Sequence, residues 1–361
     1  THLPHSFSMP YFLAKDFYSG CGWYRKTFVL PENWEGRRIK LEFEGAFQVL
    51  ELFVNGKPAG RHEGGYVGFE FDITDFLRPG ENVVAARVNN IWNPRLAPRS
   101  GEHVFSGGIY RDVLLHAVDP VHVAWYGTFV TTPELSEESG RVRIAVETEN
   151  RSGADAEIEL TTEIFDPAGK RVAETRGVFR IPAGETRESV QLTDPIPRPM
   201  LWSPDAPNLY SAVSTLRDKR SGRIRDRYVT EFGFRWVEWT ADKGFFLNGK
   251  PLYLRGANVH QDRAGWGDAA ANSAFERDVR MMKAAGWNII RGSHYPHDPA
   301  FSEACDRIGM MFWSENCFWG TGSFSRRAPG THWSNAPAYP ENPEDAPEFE
   351  ESVRRSLESM I

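Results

Sequence analysis

Cysteine is scarce: Cys21, Cys305 and Cys317 are the three in 361 residues, far apart and without a CxxC pair. That excludes a disulfide framework and a paired-cysteine metal site. No run of about 18 or more apolar residues occurs, which excludes a membrane-spanning helix. Basic residues are outnumbered, 42 against 49 acidic, and form no long block. A net charge of −7 argues against a nucleic-acid partner, whose phosphates would have to be neutralised. Thr1-His2-Leu3-Pro4-His5 has neither the basic nor the apolar region of a signal peptide, so a leader is expected either never to have existed or to have been removed upstream. A soluble protein is expected, cytoplasmic or periplasmic (secreted), and the sequence does not choose between them.

Aromatic residues are abundant, 13% of the chain with 12 Trp. Large β domains use such residues as core, and sugar-binding proteins use them to stack on pyranose faces. The length exceeds one ordinary domain and implies two or three.

Residues 22–117 read as short alternating strands without a helical stretch. Trp23-Tyr24-Arg25-Lys26-Thr27-Phe28, Arg38-Ile39-Lys40-Leu41-Glu42-Phe43 and Val49-Leu50-Glu51-Leu52-Phe53-Val54 are three of them. Asn55-Gly56 then marks a hairpin, because both residues tolerate positive φ. This pattern predicts a β-sandwich or jelly roll over residues 1–118. Residues 119–236 carry about seven further short strands and no cysteine pair, which predicts an immunoglobulin-like sandwich serving as a spacer.

From residue 237 the period changes to strand–helix alternation, the pattern of a parallel α/β barrel. Leu252-Tyr253-Leu254 is expected as the first buried strand. A helix over 274–285 follows, with Ser273 at its N-cap, Glu276 completing a capping box and Gly286 as its stop. Strand 288–291, helix 299–308, strand 310–314 and a helix over 347–361 complete the series. That makes about three βα units where a closed (β/α)8 barrel needs eight, so the barrel is expected to be truncated. An open parallel edge predicts aggregation, pairing with another chain as a homo-oligomer, or excision from a longer parent.

In such barrels the working residues follow the C-terminal strand ends. Three groups occupy these positions: Arg255-Gly256-Ala257-Asn258-Val259-His260-Gln261-Asp262-Arg263, Arg291-Gly292-Ser293-His294-Tyr295-Pro296 and Trp313-Ser314-Glu315-Asn316. Their neutral donors and acceptors suit sugar hydroxyls, with Trp266 and Trp319 nearby for stacking. No nucleophile elbow, phosphate loop or HExxH motif has a supporting context.

With these groups, the motifs Leu3-Pro4-His5, Gly22-Trp23-Tyr24-Arg25, Val54-Asn55-Gly56, Gly64-Gly65-Tyr66, Gly107-Gly108-Ile109-Tyr110-Arg111-Asp112-Val113, Leu201-Trp202-Ser203-Pro204 and Phe232-Gly233-Phe234-Arg235 run nearly the length of the chain. In this order the chain resembles the N-terminal part of a glycoside hydrolase of family 2, the β-galactosidase, β-glucuronidase and β-mannosidase family. The resemblance implies a jelly roll, an immunoglobulin-like sandwich and a (β/α)8 catalytic barrel. It implies a carbohydrate substrate and retaining exo-β-glycosidase chemistry, with β-galactosidase favoured. His260 and His294 match histidines of the galactoside subsite. Asp262 and Asn258 are further hydroxyl ligands, and Glu102 falls where relatives have an acidic residue reaching in from the jelly roll. Glu315 matches a glutamate that holds magnesium in some relatives. A histidine normally shares that role two positions on, but Cys317 stands there, so no metal or cofactor is expected. The two catalytic glutamates would fall beyond Ile361, leaving this polypeptide inactive. β-Glucuronidase and a non-catalytic carbohydrate-binding or scaffold module are the alternatives. β-Mannosidase fits less well, since no Trp follows Ala257-Asn258.

Overall fold

In the computed structural model, which describes residues 1–7, 18–99, 107–318 and 339–360, side-chain alternation builds the first layer. Along Val49–Val54, Leu50, Leu52 and Val54 are fully buried while Glu51 turns outward. Asn55 and Gly56, at φ +51° and +79°, close the hairpin onto Lys57–Glu63 as the Asn-Gly pair predicts. The antiparallel order is Cys21–Val29, Glu81–Asn89, Val49–Val54, Lys57–Glu63. A second sheet, Phe69–Asp72, Arg38–Phe43, Val113–Val118, packs on it around Ile39, Leu41, Val88 and Ile109. This is the expected jelly roll.

Arg38–Phe43 departs from its pattern. It alternates charged with apolar residues, the signature of a half-solvated strand, yet every residue from 39 to 43 is buried. The second sandwich covers its outer face. Lys40 donates to Glu70 at 2.6 Å and to Glu149 of that sandwich at 3.5 Å, while Glu42 pairs with His116 at 2.6 Å. Burial of these charges is tolerated because each is paired.

The second sandwich sets Arg171–Ile181, Ala156–Phe165, Tyr210–Asp218 and Ile224–Phe232 against Thr186–Leu192, Ser139–Asn150 and Ile196–Pro197, with Val121–Leu135 paired to Ser139–Asn150. Val142, Ile144, Val146, Ile158, Leu160 and Leu216 fill the space between, giving the expected immunoglobulin-like architecture.

A small antiparallel sheet, Val237–Thr240, Gly244–Leu247 and Lys250–Pro251, leads into the third domain. The first parallel strand is β1 (Gly256–Val259), not residues 252–254. Leu252 and Leu254 instead pack beneath the sheet with Trp202, Leu247, Ile289 and Met311, while Tyr253 is exposed. Asn288 fixes this entry: its side chain accepts from the Arg255 amide at 2.8 Å and donates to the Tyr253 carbonyl at 2.9 Å. Helix α1 (Asn272–Ala284) starts earlier than its capping pattern predicts. Ser273 lies inside the first turn, Asn272 donates to Asp112 of the jelly roll at 3.1 Å, and Glu276 pairs with Arg280 instead of folding back. A tertiary contact thus displaces the local cap.

Strand β2 (Ile289–Gly292), helix α2 (Pro299–Ile308), strand β3 (Met311–Trp313) and helix α3 (Ala346–Glu358) follow close to expectation. Asp298 caps α2 by accepting from the Ala300 amide at 2.9 Å. The strands pair in parallel in the order β1, β2, β3, so Asn258, Arg291 and Trp313 stand abreast. Ile290 and Phe312, on the opposite face, pack against α1 and α2 with Phe275, Val279 and Phe301. Among the described residues three βα units are present, where a closed barrel has eight.

Two predictions follow from this packing. A Cβ on Gly256 would lie 1.8 Å from the Ile289 carbonyl oxygen, so Gly256→Ala must force β1 from β2 and should cost about 1–3 kcal/mol by chemical denaturation. Burial holds His297 neutral, its pKa pushed down to about 3 from an unfolded value of 6.5. As the pH falls below 6.5, protons bind the unfolded chain first, so stability declines by up to about 1.4 kcal/mol per pH unit from this group. Glu44 acts in the opposite sense, because burial and neighbouring carboxylates raise it to about 7 and its protonated form favours the folded state. His297→Gln should therefore make stability fall less steeply between pH 6.5 and 5 than in the wild type.

Candidate functional site at the strand ends

The row Asn258, Arg291, Trp313 faces away from the helices, and the segments after β1, β2 and β3 extend it upward. Parallel pairing puts equivalent positions side by side, so residues distant in sequence converge. The His260 and His294 rings lie 5.2 Å apart at 73°. His294 Nδ1 lies 2.9 Å from Glu315 Oε2 and 3.4 Å from Arg291 Nη2, and Arg291 Nε and Nη2 reach Glu315 Oε1 at 2.5 Å. Glu315 is thus held on both oxygens, which fixes the His294 ring.

His260, Asn258 and Asp262 are exposed on the open side. Burial of part of the His260 ring holds its pKa below the ordinary value, aided by the neighbouring charges of His294 and Arg291 and opposed by Asp262, so the ring is neutral at neutral pH. The expected residues His260, His294 and Glu315 therefore meet, with Asn258 in the row below and Asp262 two residues beyond His260. Glu102 and Trp319 lie outside the described residues. Trp266 is exposed.

Cys317 points elsewhere. It is buried with Phe47, Tyr66, Tyr110, Tyr295 and Phe349, accepts from Ser356 Oγ at 3.6 Å, and burial pushes its thiol up to about 12. A neutral thiol in an aromatic core and a carboxylate committed to Arg291 and His294 make a poor donor set for magnesium, which needs oxygen ligands.

Four residues that shape the site were not singled out from sequence. Arg291 stood within a quoted motif, and its signal is a lone cation in a four-residue strand that is otherwise apolar or glycine. Arg111, in the Gly107–Val113 motif of the jelly roll, is 3% exposed and crosses to the barrel. Its Nη2 donates to Gln261 Oε1 at 3.1 Å and to the Pro296 carbonyl at 2.7 Å, and its Nη1 donates to the Glu44 and Tyr66 carbonyls, both at 3.2 Å. Asp298 Oδ2, 3.7 Å from Nε, balances the charge. The third is Tyr66, whose ring stacks on Tyr295 at 4.0 Å between centroids. The fourth is Tyr295 itself, fully buried, whose hydroxyl accepts from the Gln261 amide at 3.1 Å and lies 3.3 Å from His260 Nδ1. The jelly roll thereby holds the loop that presents His260.

Comparison with known proteins follows this division. Models of glycosyl hydrolases family 2 match throughout: the sugar-binding domain at residues 6–119, the family's central domain at 121–235 and its TIM barrel domain at 239–360. A β-galactosidase of Bacteroides ovatus is 36% identical over 298 residues, covering 82% of this chain and 34% of the relative. A β-glucuronidase of Bacteroides fragilis is 34% identical over 332 residues, covering 90% of this chain and 47% of the relative. A crystal structure of Bacteroides uniformis β-glucuronidase superposes with a TM-score of 0.88 at 36% identity, over 100% of this chain and 41% of that one. The chain thus spans about a third to a half of the curated relatives it matches.

Removing Arg111 should unseat the loop. Arg111→Met leaves Asp298 without its counter-charge and several buried acceptors without their donor, and should cost about 3–5 kcal/mol. Arg61→Met, which breaks exposed pairs with Glu51 and Glu63, should cost no more than about 1 kcal/mol. Parallel denaturation curves check both, and equal small losses would contradict the interdomain role.

Proposed function

The chain belongs to glycosyl hydrolase family 2, and on that premise we propose that the rim formed by Asn258, His260, Asp262, His294 and Glu315 is part of the sugar subsite of a retaining exo-β-glycosidase acting on a terminal β-linked neutral hexose, galactose first. The reading rests on one observation above others: the positive charge nearest the histidines is consumed. Arg291 is bound to Glu315, and Arg263 pairs with Asp278. Among the described rim residues the cations are thus committed to carboxylates, while the groups turned outward are neutral or acidic. Such a surface suits hydroxyls and is poorly suited to a uronate, which needs an unpaired cation to offset its desolvation. No magnesium at Glu315 belongs to this reading.

β-Glucuronidase is the second reading, favoured by the structural likeness to the Bacteroides uniformis enzyme. A uronate's cation would then come from residues other than Arg291 and Arg263. Retaining hydrolysis needs two carboxyl groups about 5–5.5 Å apart, one as acid and base and one as nucleophile. Glu315 is committed to Arg291 and His294, so we expect no turnover of aryl β-galactosides or aryl β-glucuronides by this polypeptide. Robust hydrolysis would contradict that.

Calorimetric titration of the chain with methyl β-D-galactopyranoside and with methyl β-D-glucuronide tests the substrate class. The galactoside should bind more tightly, by about tenfold, the worth of roughly 1.4 kcal/mol. Tighter binding of the glucuronide supports the second reading. Binding of neither sugar at millimolar concentration would favour a scaffold role.

A further inference from the structure

A large aromatic ring stands in the row beneath the polar rim. Side chains alternate along β3, and that alternation sorts its three residues. Phe312 packs on α2 through Phe301, with 5.4 Å between ring centroids. Met311, on the opposite face, is buried with Leu252, Leu254, Leu247 and Ile289. Trp313 shares the face of Met311 one layer higher, and it is 57% exposed. Its partner in register, Arg291, repeats the pattern on β2, one layer above Ile289.

The apolar layer of Ile289 and Met311 thus closes the sheet below, and Trp313 forms part of the open layer above it. Neighbouring strands lie about 4.8 Å apart, so the Trp313 backbone is about 5 Å from that of Arg291 and about 10 Å from that of Asn258. Glu315 follows two residues later, bound to Arg291 and 2.9 Å from His294 Nδ1. Two residues of extended chain span about 7 Å at most. The indole therefore starts within about one pyranose ring of the Glu315–His294 pair. Wet polar groups on the rim and an apolar plate one layer beneath them are the two surfaces that an amphipathic sugar ring presents to a protein.

Which sugar the plate suits follows from stereochemistry. In a β-D-galactopyranoside O4 is axial, which leaves C3–H, C4–H and C5–H contiguous on one face. With O4 equatorial, as in a glucoside or a glucuronide, C4–H turns to the other face and the apolar patch is broken. We propose that Trp313 is the specificity-determining residue for the configuration at C4: its indole receives the C3–H, C4–H, C5–H face of a terminal galactose, while the histidine rim takes the hydroxyls. The proposal rests on the subsite reading above and supplies the source of its preference for galactose.

The test is calorimetric titration of the chain with methyl β-D-galactopyranoside and with its C4 epimer, methyl β-D-glucopyranoside. The wild type should prefer the galactoside about tenfold. Trp313→Leu should weaken galactoside binding about five- to tenfold and glucoside binding less than about twofold, so the preference collapses. Trp313→Phe keeps an aromatic face and should retain most of it. Trp239→Leu removes another exposed indole, on the hairpin before the barrel and 4.6 Å from the Phe245 ring, and should change neither constant. Saturation-transfer NMR on the wild type needs no variant: H3, H4 and H5 of the galactoside should receive the most saturation. Saturation concentrated on H2 or the methyl group, equal affinity for the two epimers, or an unchanged preference in folded Trp313→Leu would overturn the proposal. In each of those outcomes the galactoside still binds, so the subsite reading stands. Binding of neither sugar by the wild type would overturn both.

Discussion

The buried guanidinium of Arg111 joins the two domains that make the site. Arg111 lies where water does not reach, and a charge there is stable only when fully surrounded by acceptors and a counter-charge. Its acceptors come from both sides of the interface: Glu44 and Tyr66 from the jelly roll, Gln261 and Pro296 from the barrel, with Asp298 as counter-charge. Asp298 also caps α2, so the same carboxylate ties the domain contact to the start of a barrel helix. The planar fork suits this task in a way a lysine ammonium does not, because its several donors point in fixed directions.

The rim inherits its geometry from that joint. Parallel pairing brings Asn258, Arg291 and Trp313 abreast, but pairing alone does not orient the histidines one and two residues past the strand ends. Each histidine is fixed by a partner of its own, Glu315 for His294 and Tyr295 for His260. Arg291 completes the arrangement by holding Glu315, which balances its own charge. Structure and electrostatics therefore point the same way, toward a mostly neutral hydrogen-bonding surface.

Much of the architecture was legible because it is local. The Asn55-Gly56 turn, the alternation of Val49–Val54 and the Asp298-Pro299 start of α2 are decided within a few residues. The failures have a common cause in contacts from distant segments. Ser273 lost its capping role because Asn272 reached Asp112, and the first barrel strand moved to Gly256 because Asn288 bound the chain ahead of it. Strand Arg38–Phe43 reads as half-solvated only until the second sandwich is packed on it. In the site, strand-end position and motif order identified His260, His294 and Glu315. Arg111, Tyr66 and Tyr295 were quoted within motifs without a role, since their partners lie on another domain and no spacing rule connects residue 111 with residue 261.

The most direct test of the account is a crystal structure of the chain soaked with methyl β-D-galactopyranoside. The account predicts a pyranose ring seated against His260 and His294, with Arg291 still on Glu315 and the Tyr295 hydroxyl unmoved. A sugar found instead on the outer sheet of the jelly roll, around exposed Trp23, or a rim left empty at saturating sugar, would contradict it.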